Sequence, residues 1–163
     1  MSKRENVQVS EQEITQQKEY IKSLKLMYQT EGKKPLAMVA TYGCQQNEND
    51  SERMKGMLSE MGFDFTEDKT IADFILFNTC AVREGAELKV FGKLGALKHE
   101  KARRPELIVG ICGCMMQQEH IVKQIKSKYK HVDVVFGTHT LYRFPQILFD
   151  AVSEHKRVID VEN

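Results

Sequence analysis

The chain has 163 residues, of which 41% are hydrophobic and 29% charged, and its 24 Lys and Arg against 23 Asp and Glu give a formal net charge of +1. That size fits one ordinary domain, and the balance lacks the basic excess typical of nucleic-acid-binding domains, although it leaves room for a local basic patch. No apolar stretch approaches the roughly 20 residues that span a bilayer, and the polar N-terminus lacks a signal-peptide core, so we predict a cytoplasmic protein without membrane contact.

The first 34 residues are predicted to form a polar N-terminal extension, followed by one domain over residues 35–163. We expect the first ten residues to be disordered and an amphipathic helix to run from Glu11 to Tyr28. Polar Gln17 and Lys18 interrupt its apolar side. That side consists of Ile14, Ile21, Leu24 and Tyr28.

From Pro35 onwards, apolar runs of strand length alternate with helical patterns. The predicted strands are Leu36–Thr41, Phe63–Phe65, Phe74–Phe77, Leu107–Ile111, Val132–Phe136 and Arg157–Val161. The helical segments carry Met54, Met57, Leu58 and Met61, then residues 84–100, then Ile121, Ile125 and Tyr129, and finally Leu148, Phe149 and Val152. Strand runs without polar alternation, separated by helices, predict an α/β fold with a mostly parallel, flavodoxin-like or Rossmann-like sheet covered by helices on both faces.

Three of the four cysteines, Cys44, Cys80 and Cys114, come just after predicted strands. Because right-handed crossovers bring the carboxyl ends of parallel strands to one edge, we expect these thiols at the same rim of the sheet. In a reducing cytosol, cysteines are more often metal ligands, reactive thiols or buried residues than disulfides. Three soft ligands on one rim predict a metal centre with an open position, which favours an iron–sulfur cluster.

The residues beside the thiols support the same interpretation. Gly43 and Gly113 directly precede two of them and permit close approach of the backbone to a ligand. Helices after the three cysteines would direct the positive ends of their dipoles toward the site, which favours thiolate over thiol. Two alternatives stay open, namely ordinary buried cysteines and a three-cysteine zinc site completed by His120 or His139. Cys112, at the end of an apolar strand, is predicted to be a packed residue and not a ligand.

Three segments carry a resemblance to a known family. They are residues 41–52 (TYGCQQNENDSE), 78–84 (NTCAVRE) and 113–117 (GCMMQ). In this order they resemble the N-terminal domain of the radical-SAM methylthiotransferases. The residues of the first two segments resemble those of the tRNA-modifying members. The resemblance covers roughly Lys34 to Val161, as one domain-sized unit. Two departures, Gln46 for a usual Met and Met116 for a usual small residue, involve no thiolate.

The resemblance implies a transferase that converts N6-isopentenyladenosine next to the tRNA anticodon to its 2-methylthio derivative. It implies that Cys44, Cys80 and Cys114 hold an auxiliary 4Fe-4S cluster involved in sulfur delivery, with no further catalytic residue in this chain. A second 4Fe-4S cluster and S-adenosylmethionine would belong to a radical-SAM domain, and a C-terminal domain would bind RNA.

The radical-SAM signature Cys-x-x-x-Cys-x-x-Cys does not occur in this sequence. The chain therefore resembles an excised N-terminal domain, and we expect it to perform no complete turnover alone. Its expected partners are tRNA, mainly through other domains, and its own radical-SAM domain.

Several polar residues near the cysteines have two interpretations. Asn47 and Asp50 could orient the Cys44 loop or touch RNA, or they could cap the helix that follows, as could Asn49. Arg83, followed by Glu84, could face the cluster or the nucleotide, or form a surface ion pair.

The most basic stretch of the sequence is predicted to place favourable positive charge at a helix C-terminus and to continue into a solvated loop. This interpretation is preferred to a contact with nucleic-acid phosphates. It comprises Lys98, His99, Lys101, Arg103 and Arg104. The alternative function for the whole chain is a zinc-stabilised or metal-free interaction module without a catalytic role. A small-molecule-binding domain is less favoured, because the loop after the first strand is not rich in Gly, Ser or Thr.

Overall fold

The computed structural model describes residues 9–80 and 84–161, with only the backbone described at residues 84–86. Within these ranges, helices and strands alternate along the chain. They are α1 (Glu11–Thr30), β1 (Leu36–Tyr42), α2 (Gln45–Glu60), β2 (Asp64–Phe65), β3 (Phe74–Thr79), α3 (Glu84–Arg103), β4 (Ile108–Cys112), α4 (Glu119–Lys128), β5 (Val134–Phe136), α5 (Phe144–Glu154) and β6 (Val158–Asp160). Two 3-10 helices lie at Cys114–Gln117 and Thr138–Arg143.

The six strands form one sheet in the order β2-β1-β3-β4-β5-β6, and all of the neighbouring pairs are parallel. This confirms the predicted α/β fold class. The order of the first five strands is that of flavodoxin-like sheets, with a sixth strand added at the β5 edge. The chain leaves β1 in one direction to β2 and returns on its other side to β3, so the strand order reverses between β1 and β3.

Helices cover both faces of the sheet, as predicted, and each face has its own hydrophobic core. On one face α1, α2 and α5 contribute the fully buried Leu24, Leu58 and Leu148. On the other face α3 and α4 contribute the fully buried Leu94 and Ile125. The strands in the middle are buried on both sides, which explains why their sequences lack polar alternation.

The predicted N-terminal helix is confirmed and extends two residues further, to Thr30. Ser10 caps it, because its hydroxyl accepts from the Glu13 N–H while the Glu13 carboxylate accepts from the Ser10 N–H. Its predicted apolar side is wrong at Ile14, which is 45% exposed, while Gln17 is buried. Gln17 is tolerated there because its side chain exchanges hydrogen bonds with Gln146 of α5. The prediction of disorder falls largely on residues 1–8, which lie outside the described ranges.

All six predicted strands are confirmed, with shifted ends. The difference that matters for the site is in β3. This strand continues through Asn78 and Thr79, two residues past its predicted end. Both are buried and both have partners, since Asn78 bonds to α2 and the Thr79 hydroxyl donates to the Cys112 carbonyl at 3.0 Å. Across the described ranges, no helix is both long and apolar enough to cross a bilayer.

Candidate metal centre at the carboxyl edge of the sheet

The three predicted ligands follow three adjacent strands. Cys44 lies two residues beyond β1, Cys80 comes directly after β3, and Cys114 lies two residues beyond β4. The parallel register pairs Tyr42 with Thr79 and brings the ends of β3 and β4 level. The sheet therefore delivers all three cysteines to its carboxyl edge, beside the point where the strand order reverses, which is where open α/β sheets bind ligands.

Cys44 occupies the N-cap of α2 and is exposed. Its backbone N–H donates to Asn47 Oδ1 at 3.1 Å, and its thiol lies 3.3 Å from the same oxygen. The backbone N–H groups of Asn47 and then of Gln46, in the first turn of α2, lower the pKa of the Cys44 thiol. A hydrogen bond with the Cys80 side chain lowers it further. The predicted helix-dipole effect is therefore present at this thiol.

The Cys44 loop lies directly against Cys80, and Gly43 makes this contact possible. A Cβ atom at position 43 would lie 2.5 Å from the Cys80 Cβ and would overlap the Asn47 carboxamide. The backbone at Gly43 also has a φ of 154°, which residues with a side chain rarely adopt. Glycine is thus required for two of the three thiols to approach each other.

Cys114 is held at the rim by the residue before it. Gly113 has a φ of 107° and lies against the end of β3, where a Cβ would overlap the Thr79 carbonyl and lie 2.8 Å from Asn78 Oδ1. Cys114 is partly buried and opens the 3-10 turn over residues 114–117. The predicted helix N-terminus at this thiol is wrong, since α4 begins five residues later, at Glu119.

Cys112 is a core residue, as predicted. Its side chain is 1% exposed and its sulfur lies 4.0 Å from the Met54 sulfur, on the face covered by α2. Burial raises the pKa of the Cys112 thiol well above its ordinary value. A thiol that resists ionisation inside a hydrophobic core is a poor metal ligand, because ligation requires the thiolate.

The part of the chain that the structure describes does not bring together a ready-made metal-binding group. Among the described residues, no three or more Cys, His, Asp or Glu side chains are grouped so as to hold one metal ion. A zinc site needs all its ligands about 2.3 Å or less from one atom. Neither the exposed His120 nor the partly buried His139 belongs to such a group. Cys44, Cys80 and Cys114 therefore share one rim of the sheet without forming such a group, and their sulfur atoms are the donor type that holds iron–sulfur clusters.

A buried polar network lies behind the Cys44 loop, and its members belong to the two segments 41–52 and 78–84 that carry the family resemblance. Asn78 donates to the Asn47 carbonyl at 2.8 Å and to the Ser51 hydroxyl at 3.0 Å, and Ser51 pairs with Thr41 at 2.7 Å. The prediction that Asn47 orients the Cys44 loop agrees with its contacts. The helix begins earlier than predicted, so neither Asn47 nor Asp50 is the N-cap residue, but Asn47 still contributes to the cap because its side chain accepts from the backbone N–H of the N-cap residue Cys44. The signal for this network is Asn78, a polar residue that continues an apolar strand.

The basic stretch lies at the opposite edge of the sheet, where the strands begin. Lys101 pairs with Asp133 at 2.8 Å and donates to the Leu107 carbonyl, while Arg104 donates to the carbonyls of Ala72 and Lys69. These two cations stabilise the C-terminal end of α3 and the adjoining loops, which agrees with the predicted favourable charge at a helix C-terminus, but both side chains are largely buried and do not belong to a solvated loop. The prediction for Arg83 lies outside the described residues, as does the side chain of Glu84.

These features define a parallel α/β domain that presents cysteines at the carboxyl edge of its sheet. The chain belongs to the uncharacterized protein family UPF0004, whose family model matches residues 37–137.

Curated relatives share the name tRNA-2-methylthio-N(6)-dimethylallyladenosine synthase. The protein from Clostridioides difficile is 46% identical over 99% of this chain, and the one from Alkaliphilus oremlandii is 51% identical over 99% of it. The protein from Clostridium tetani is 54% identical over 76% of this chain, which is 27% of the relative. The chain spans about a third of the length of the first two relatives, with 34% of each covered.

Proposed function

We propose that this chain is the auxiliary-cluster domain of a tRNA methylthiotransferase. The enzyme would convert N6-isopentenyladenosine next to the anticodon to its 2-methylthio derivative, in the cytoplasm. The observation that carries the proposal is the delivery of Cys44, Cys80 and Cys114 to one rim by three adjacent strands. Relatives that bear the synthase name, 46% to 54% identical in the three comparisons above, supply the reaction class.

In this proposal Cys44, Cys80 and Cys114 are the protein ligands of a 4Fe-4S cluster. Three thiolates would hold such a cluster with one iron free of a protein ligand, and the cluster would supply a binding place for the sulfur to be delivered. The chain's own contribution is positional and electrostatic. The first turn of α2 favours the Cys44 thiolate, and the two glycines remove side chains that would occupy the rim. Burial against Met54 keeps Cys112 out of the ligand set.

The remaining chemistry belongs to the part of the enzyme that this chain does not cover. Cleavage of S-adenosylmethionine at a second 4Fe-4S cluster and most of the tRNA binding would reside in a radical-SAM domain and a further RNA-binding domain. The location of the basic stretch agrees with this division, because Lys101 and Arg104 are engaged in contacts within the domain.

Anaerobic reconstitution with iron and sulfide tests the ligand set. The unmodified chain should bind about four irons and four sulfides and gain the broad visible charge-transfer absorption of a 4Fe-4S cluster. Cys44→Ala, Cys80→Ala and Cys114→Ala should each lose most of the iron and the absorption, because each removes one of only three protein ligands.

Cys112→Ala is the matched control, since it removes a thiol from the same strand end without changing the rim. It should retain the cluster and lose only a small amount of stability. Equal loss of iron in Cys112→Ala, or a chain that binds zinc and takes up neither iron nor sulfide, would overturn the proposal.

A further inference from the structure

Two buried carboxamides connect the Cys44 loop to the centre of the sheet. Asn47 on α2 is 0% exposed and Asn78 on β3 is 1% exposed. Asn47 Oδ1 accepts from the Cys44 N–H at 3.1 Å, and Asn47 Nδ2 donates to Asn78 Oδ1 at 3.4 Å. Asn78 Nδ2 donates in turn to the Asn47 carbonyl and the Ser51 hydroxyl. Every polar atom of the two carboxamides therefore has a partner.

The partners at the two ends fix the orientation of both carboxamides. The backbone carbonyl of Asn47 can only accept, so the atom of Asn78 that faces it must be the NH₂ group. Asn78 Oδ1 then faces Asn47 Nδ2, which leaves Asn47 Oδ1 toward the Cys44 N–H. The Cys44 N–H can only donate, so this end of the hydrogen-bonded series requires the same orientation of the two carboxamides. Flipping either carboxamide would oppose two donors or two acceptors at a buried site.

The same network joins α2 to the two strands on either side of the point where the strand order reverses. Ser51 accepts from Asn78 of β3 and pairs with Thr41 of β1 at 2.7 Å. Leaving one buried polar group without a partner costs about 1–3 kcal/mol. A movement of Cys44 away from α2 would break its N–H bond to Asn47, and a movement of α2 away from the sheet would separate several of the other pairs at once, so the network favours one position of the loop.

We propose that Asn78 and Asn47 form a positioning relay that holds the Cys44 loop at the rim before any cluster is bound. This inference rests on the proposed function and adds two residues to it, neither of which is a ligand. Asn78 fixes Asn47, and Asn47 fixes the backbone of Cys44. The bond from the Cys44 N–H to Asn47 does not need the thiol proton, whereas the contact of the thiol with the same oxygen at 3.3 Å is lost when the thiol ionises to bind a metal.

Amide hydrogen exchange of the metal-free, reduced chain tests the relay without iron. Asn47→Ala removes the acceptor of the Cys44 N–H, so this amide should exchange at least about tenfold faster. Asn78→Ala, which does not touch Cys44, should also accelerate it, whereas Asn47→Asp retains an acceptor oxygen and should accelerate it less than Asn47→Ala does. Asn78→Ser is the milder second variant, and the exchange of Val135 in β5 reports whether each variant is folded.

Gln17→Ala is the matched control, because the buried Gln17 and the partly buried Gln146 form another carboxamide pair, between α1 and α5. It should lower stability without accelerating exchange at Cys44. In the reconstituted protein, a chelator should strip the cluster at least about fivefold faster from Asn47→Ala than from Gln17→Ala. Unchanged Cys44 exchange in folded Asn78→Ala or Asn78→Ser would refute the relay. Failure of the unmodified chain to take up iron would refute the proposed function, while the exchange result still decides the relay.

Discussion

At the scale of single residues, the rim depends on its two glycines as much as on the thiols, because a side chain at either position would overlap neighbouring atoms. Gly113 lies so close to the end of β3 that a methyl group would overlap the Thr79 carbonyl, and its φ of 107° is strained for any other residue. The sequence marks this glycine only by its place before Cys114. The contact with Thr79 requires the register between β3 and β4, which no local pattern encodes.

Gly113→Ala should therefore destabilise the metal-free chain. The backbone conformation alone costs about 1–3 kcal/mol with a side chain, and the overlap with Thr79 adds to this cost. Gly92→Ala, in the middle of α3 with open space around it, should instead raise the free energy of unfolding by about 0.5–1 kcal/mol. Urea denaturation measures both, and a Gly113→Ala variant as stable as Gly92→Ala would contradict this description of the rim.

At the scale of elements, the C-terminal end of α3 fixes the loops that lie at the amino ends of the strands. Lys101 reaches across to Asp133, and the Asp133 carboxylate also accepts the Val109 N–H at 2.9 Å, so one ion pair joins α3, β4 and the start of β5. The basic composition of this stretch was enough to predict charge at a helix C-terminus. It was not enough to identify the partner of Lys101, because Asp133 lies more than thirty residues away along the chain.

Lys101→Ala should lower the free energy of unfolding by about 1–3 kcal/mol, since it leaves a partly buried carboxylate without its cation. Lys123→Ala removes an exposed pair with Glu119 on α4 and should change stability by less than about 0.5 kcal/mol. Chemical denaturation at neutral pH compares the two. Equal effects would mean that the Lys101 pair is a surface contact of no structural consequence.

At the scale of the whole molecule, apolar runs and helical patterns are sufficient to predict a parallel α/β fold and the rim at which Cys44, Cys80 and Cys114 lie. Strand order is not predictable in the same way, because a strand buried on both faces has no sequence feature that names its neighbour. The same limit hides the hydrogen-bond partners of Asn78, which come from α2, and the 3-10 turn that begins at Cys114, directly after Gly113 packs on the end of β3.

The central claim is that three cysteines from three adjacent strands bind one cluster. A crystal structure of the anaerobically reconstituted chain, with iron located by its anomalous scattering, tests this claim most directly. We predict iron at the carboxyl edge of the sheet, bonded to the sulfurs of Cys44, Cys80 and Cys114, with Cys112 still packed against Met54. Iron bound at another place, or held at the rim with Cys112 in place of one of these three, would contradict it.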